Sequence, residues 1–173
     1  MKGAFAMLAA DVIQVLKAQG LTVATCESLT GGMICSTLVD VPGASQVVRG
    51  GLITYQTDVK TLLAGVDDAL IQAEGVVSAA VAEAMAKGAR ERLLADIAVS
   101  ATGMASPGSP EEPPAGTVFV GVASERGVRA IPLNLVGSRQ EIRRQTVEAA
   151  LVAILQEING SSPVQKESDH DGL

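Results

Sequence analysis

Residues 21–39 read LTVATCESLTGGMICSTLV, and their reading sets the fold. Residues 21–25 are short and rich in β-branched side chains, the composition of a buried strand. CESLTGG, 26–32, is a polar turn closed by two glycines, after which Met33, Ile34, Thr37 and Leu38 recur at the three- and four-residue spacing of a helix. A strand that passes into a helix through a glycine turn is the opening unit of an α/β sheet.

The flanking sequence repeats that grammar. Phe5, Leu8, Val12, Val15 and Leu16 mark an amphipathic helix over about 4–19, stopped by Gly20. Beyond Pro42 a short helical segment carries Ser45, GGLITYQT at 50–57 reads as a strand ending in a polar corner, and two helical turns follow. Ser78 is placed to cap a long helix over 78–94, and IAVSATG at 97–103 is a further strand. SPGSPEEPPAG, 106–116, holds four of the seven prolines and no apolar period, so it is a loop. TVFVGVAS and VRAIPLNL form a hairpin about Glu125, Arg126 and Gly127, and Ile142, Val147, Ala150, Leu151 and Ile154 line one face of a last helix over 139–158. Alternating strands and helices with a late hairpin predict an α/β sandwich on a mixed sheet. One domain over 1–159 and a disordered tail over 160–173 are expected, because the tail is Gly-, Ser- and charge-rich.

Composition removes several classes of function. A chain of 173 residues, 47% hydrophobic, with a net charge of −6, is built to fold as a compact domain and not to grip a nucleic-acid backbone. It lacks an apolar run long enough to span a bilayer, so a cytoplasmic location away from membranes is expected. Two cysteines, Cys26 and Cys35, cannot build a disulfide framework or a four-thiolate metal site, and no cofactor or metal is expected. The only histidine, His170, sits in the tail segment GSSPVQKESDHDGL, which argues against a histidine-based triad.

Four stretches remain as candidate chemistry. In CESLTGG, the glycines Gly31 and Gly32 would let backbone approach an anion at a helix N-terminus, while Ser28 or Thr30 would serve equally well as a plain helix cap. PGASQVVRGGLITYQTDVK, 42–60, places Ser45, Tyr55 and Lys60 in one segment, and a lysine made neutral by burial can serve as base to a serine. Ser45 and Lys60 are 15 positions apart (60 minus 45), so the chain would have to fold back to join them. Thr102 and Gly103 close a strand at the sheet edge where α/β proteins place ligands, or they are ordinary punctuation. GSRQEIRRQ, 137–145, presents Arg139, Arg143 and Arg144, which suit either a phosphate or a solvated basic face.

Taken together, ESLTGG, GASQVVRGGLITYQTDVK, VSATGMASP with GTVFVG, and GSRQEIRRQ resemble the carboxy-terminal domain of the CinA (competence/damage-inducible) family over roughly 5–158. The resemblance implies a three-layer α/β/α sandwich and an amidohydrolase that deamidates nicotinamide mononucleotide to nicotinate mononucleotide and ammonia. By matching positions it implies Ser45 as nucleophile, Lys60 as base and Tyr55 in support. Thr102 and Gly103 would contact the reacting group, and Ser28, Thr30, Gly31, Gly32, Arg139, Arg143 and Arg144 would hold the nucleotide. The expected partner is a small pyridine nucleotide, and a homo-oligomer is the expected assembly. The loop departs from the family pattern at Ala105-Ser106-Pro107, Gly108-Ser109-Pro110 and 113–116. The competing reading is a non-catalytic nucleotide-binding or regulatory module of the same fold.

Overall fold

The strand, turn and helix at 21–39 form as their pattern requires. In the computed structural model, which describes residues 2–160 with side chains from Phe5 onward, β1 is Val23–Glu27 and α2 is Met33–Val39. β1 is buried along its whole length, which is why its residues are apolar or β-branched on both faces instead of alternating. It is preceded by α1 (Lys2–Gln19), which ends where Gly20 turns to a φ of 65°.

A single 3-10 turn, Ala44–Gln46, leads into β2 (Val48–Ile53). Three helices follow, α3 (Thr57–Ala64), α4 (Asp68–Glu74) and α5 (Ala79–Arg92), the last capped by Ser78, whose hydroxyl accepts the N–H of Val81. β3 (Ile97–Gly103), the hairpin of β4 (Thr117–Ser124) and β5 (Gly127–Asn134), and α6 (Arg139–Asn159) complete the chain. The start of α6 is a full capping box between Ser138 and Glu141.

The five strands lie in the order β2-β1-β3-β4-β5, with β1 parallel to both β2 and β3 and the hairpin antiparallel. The chain steps outward from β1 to β2 and then back across β1 to β3. Right-handed crossovers in those opposite directions put α2 on one face and the α3–α5 segment on the other. The two cores agree with that division. Val12, Leu16, Ile34, Leu38, Leu151 and Ile154 from α1, α2 and α6 pack on one face, and Ala64, Ile71, Val81, Met85 and Ala89 from α3–α5 on the other. The chain is therefore a three-layer α/β/α sandwich with a mixed sheet.

The second face is packed closely enough to need bare backbone. A Cβ at Gly88 of α5 would sit 1.8 Å from the Ala64 carbonyl oxygen, and one at Gly121 of β4 would sit 2.2 Å from that of Ala82. No helix among the described residues is long and apolar enough to cross a membrane. The expected tail lies, from residue 161 onward, outside the described residues.

Candidate active site

Parallel strands deliver their carboxyl ends to one edge of a sheet, and three turns leave that edge here. Past β1, the N–H of Ser28 continues the ladder to Ala101 of β3, at 2.9 Å, and the N–H of Thr54, past β2, donates to the carbonyl of Glu27 at 2.8 Å. Ser28 is thereby fixed between the ends of β2 and β3.

Lys60 enters this edge from the first turns of α3. It is the largest fully buried side chain, with 0% of its surface exposed. Its Nζ lies 2.7 Å from the Thr54 carbonyl, 3.1 Å from the Ser28 Oγ and 3.4 Å from the Tyr55 carbonyl. No carboxylate lies within ion-pair distance of it among the described residues. Burial therefore pushes the Lys60 amine below the ordinary lysine range. A Cys26 thiolate would oppose that shift, but the thiol does not ionise. Its own burial raises the thiol to about 11, so it stays neutral near pH 7. A neutral amine has two N–H groups and one lone pair. The two carbonyls can take the former, and the Ser28 hydroxyl can donate to the latter.

The pairing of Ser45 with Lys60 is corrected by the fold. Ser45 is exposed on the 3-10 turn before β2, and Lys60 follows β2. The six residues of β2, rising about 3.3 Å each, hold their flanks at opposite ends of the sheet, roughly 16 Å or more apart. The residue brought to Lys60 is Ser28, whose sequence context suits a helix cap or an anion site. The signal was present: Ser28 follows the first strand, Lys60 follows the second, and neighbouring parallel strands align their ends.

The ESLTGG turn also works differently from a simple anion cradle. The first-turn N–H groups of α2 are occupied by Glu27, whose carboxylate accepts from Gly32, Ile34 and Cys35 at 3.0, 3.0 and 2.8 Å. Gly31 and Gly32 are needed for their φ values of 58° and 97°. Thr30 is fully buried, and its hydroxyl has no partner among the described residues.

The three arginines separate. Arg143 spends its guanidinium on the carbonyls of Leu29, at 2.8 Å, and Thr30, at 3.1 Å, strapping α6 to the turn. Arg139, one helical turn earlier and exposed, donates to the Tyr55 hydroxyl at 3.1 Å and to Ser106 at 3.2 Å. Tyr55 thus supports Lys60 only through its backbone, and its phenol belongs to Arg139. Arg144 points elsewhere, onto an apolar groove of about 880 Å³ walled by Phe5, Met33, Val41 and Val147. Ser28, Lys60, Tyr55 and Arg139 do not line that groove. Thr102 is buried and gives its hydroxyl to the Val76 carbonyl at 2.9 Å. Gly103 is required by packing, since a Cβ there would lie 2.8 Å from the Thr117 carbonyl oxygen.

Comparison with known proteins agrees with this architecture. Residues 5–158 match the model of the CinA C-terminal domain. A CinA-like protein of Frankia casuarinae is 39% identical over 170 residues, covering 98% of this chain and 39% of its own length. The chain spans about two fifths of the length of the first curated relatives it matches. Among solved structures, a competence/damage inducible protein of Agrobacterium tumefaciens superposes with a TM-score of 0.84 at 37% identity, covering 90% of this chain and 95% of that one. A CinA superfamily protein of Escherichia coli gives 0.85 at 28% identity, covering 88% and 90%. The chain belongs to the CinA C-terminal domain family.

Proposed function

We propose that this domain is an amidohydrolase that removes the carboxamide nitrogen of nicotinamide mononucleotide, with Ser28 as nucleophile and Lys60 as its base. The observation that carries the mechanism is the fully buried, carboxylate-free Lys60 amine 3.1 Å from the Ser28 hydroxyl. A lysine placed in that way costs stability and is best explained by a need for its neutral form. The substrate follows from the family resemblance.

Ser28 Oγ attacks the carboxamide carbon as its proton passes to Lys60 Nζ. The oxyanion that forms requires fixed donors, and the backbone N–H groups of Leu29 and Thr30, which have no hydrogen-bond partner among the described residues, are the ones we assign. Collapse breaks the C–N bond, and Lys60 returns its proton to the departing ammonia. Lys60 then takes a proton from water, whose oxygen attacks the Ser28 ester; the bond between Ser28 Oγ and the acyl carbon breaks, nicotinate mononucleotide leaves, and Lys60 returns the proton to Ser28 Oγ. Arg139, with no carboxylate partner among the described residues, is placed to hold the phosphate beside Tyr55 and Ser106.

The test is direct: incubate the protein with nicotinamide mononucleotide and quantify ammonia and nicotinate mononucleotide, expecting equal amounts of each. If calorimetry shows the nucleotide binding but no ammonia appears, the domain is a non-catalytic binding module.

A further inference from the structure

Glu27, the last residue of β1, is fully buried immediately before Ser28, and the mechanism above gives it no role. No lysine or arginine pairs with it among the described residues. Its charge is met by four donors instead. Oε1 accepts from the Cys35 N–H at 2.8 Å and the Thr25 hydroxyl at 3.1 Å, and Oε2 from the Gly32 and Ile34 N–H groups at 3.0 Å each.

This is an unusual way to begin a helix. α2 has no side-chain cap at Gly32, its N-cap position, where a φ of 97° favours glycine, so the N–H groups at the helix start need an acceptor from elsewhere in the chain. What the arrangement adds is a clamp. The backbone of Glu27 is held in the sheet and its side chain grips the start of α2, so the turn from Ser28 to Gly32 is tied at both ends. Arg143 fixes the same turn from outside through Leu29 and Thr30.

We propose that Glu27 is a positioning residue: by acting as the internal anion at the start of α2 it sets the shape of the turn that holds the Ser28 hydroxyl on Lys60 and carries the Leu29 and Thr30 N–H groups. It touches no substrate. The occupied N-terminus of α2 is accordingly not the phosphate site. This inference rests on the Ser28–Lys60 pair but not on the identity of the substrate.

The experiment compares wild type with Glu27→Gln, which keeps the volume and replaces one acceptor by a donor facing backbone N–H groups. A fluorophosphonate probe reads the nucleophile without a nucleotide: Ser28 Oγ bonds to phosphorus, fluoride leaves, and Lys60 takes the serine proton. In folded Glu27→Gln, the labelling rate at Ser28 and kcat for ammonia release should both fall roughly 100-fold, the scale of a misplacement of about 1 Å. KM should stay within about two-fold, because Glu27 makes no ground-state contact. Wild-type labelling in the folded variant, or a raised KM with unchanged kcat, overturns the proposal. If Glu27→Gln does not fold, Thr25→Val decides, since it removes one of the four donors: a several-fold fall in labelling supports the clamp and an unchanged rate overturns it. Wild type that labels at Ser28 while Lys60→Met does not, yet releases no ammonia, removes the substrate assignment while labelling still decides the role of Glu27. Wild type that does not label at Ser28 removes the pair, and the clamp with it.

Discussion

Ser28 and Ser45 are the same side chain at the two ends of one parallel strand pair. Ser45, before β2, is exposed, with no hydrogen bond to its hydroxyl among the described residues. Ser28, after β1, is buried, held in the ladder to β3, and 3.1 Å from a lysine amine. The difference lies in direction. The carboxyl ends of β1, β2 and β3 meet, so Ser28, Thr54, Tyr55 and Lys60 converge there from distant parts of the sequence, whereas the amino end of β2 gathers no such set. A serine becomes a candidate nucleophile through what the fold brings to its hydroxyl.

The largest effect that sharpens this contrast is expected at Lys60. Lys60→Met fills the same channel without the amine and should lower turnover roughly 1,000-fold or more with the fold intact. Lys60→Arg should not rescue it, because guanidinium keeps its proton. The same pair of proteins gives a pH test. An unfolded lysine holds its proton to about 10.4, and the folded Lys60 releases it earlier. Between those two values the unfolded state binds more protons, so wild-type stability should rise with pH relative to Lys60→Met. Parallel melting curves from neutral pH to about 10 check this, and a constant difference would mean the buried amine is not shifted.

A smaller effect is expected at the rim of the same end. Arg139→Ala should raise KM roughly 10-fold for the phosphate-bearing nucleotide, with kcat little changed, and should do nothing to the riboside that lacks the phosphate. Equal losses for both compounds would move Arg139 from the phosphate to the loop it shares with Ser106.

The smallest effect on activity belongs to the buried acid at the far end of α6. Glu157 is held by the Ser124 hydroxyl at 2.5 Å and by Arg126 and Arg129 at 2.8 and 3.3 Å. Burial alone would raise its carboxyl, but the hydrogen bonds from Ser124 and Arg126 and the two arginine charges together hold it below the usual range. Glu157→Gln should cost on the order of 1–2 kcal/mol of stability, the arginines being partly solvated, while kcat is unchanged. Thermal melts and ammonia assays separate the two, and a loss of kcat would show that the ends of α6 are coupled.

The sequence carried much of this in its periodicities. β3 and α6 fall where apolar spacing places them, because both are strongly patterned. β1 begins two residues later than its β-branched run and extends through Glu27, since a polar residue can end a buried strand when neighbouring backbone N–H groups receive its side chain. Lys60 was legible as a residue of interest. Its pairing with Ser45 came from the family resemblance, and position along the chain offered no check on it, because a straight strand between two residues separates them. The roles of Glu27 and of the Arg143 strap were not legible, because both depend on side chains crossing a turn whose shape no local pattern specifies.

The central claim is that the nucleophile lies at the carboxyl end of the parallel strands. Ammonia release from nicotinamide mononucleotide by Ser28→Ala and Ser45→Ala, measured side by side on folded protein, tests it most directly. The account predicts a loss of roughly 1,000-fold or more for Ser28→Ala and a rate within about two-fold of wild type for Ser45→Ala. Turnover retained by Ser28→Ala and abolished in Ser45→Ala would contradict it.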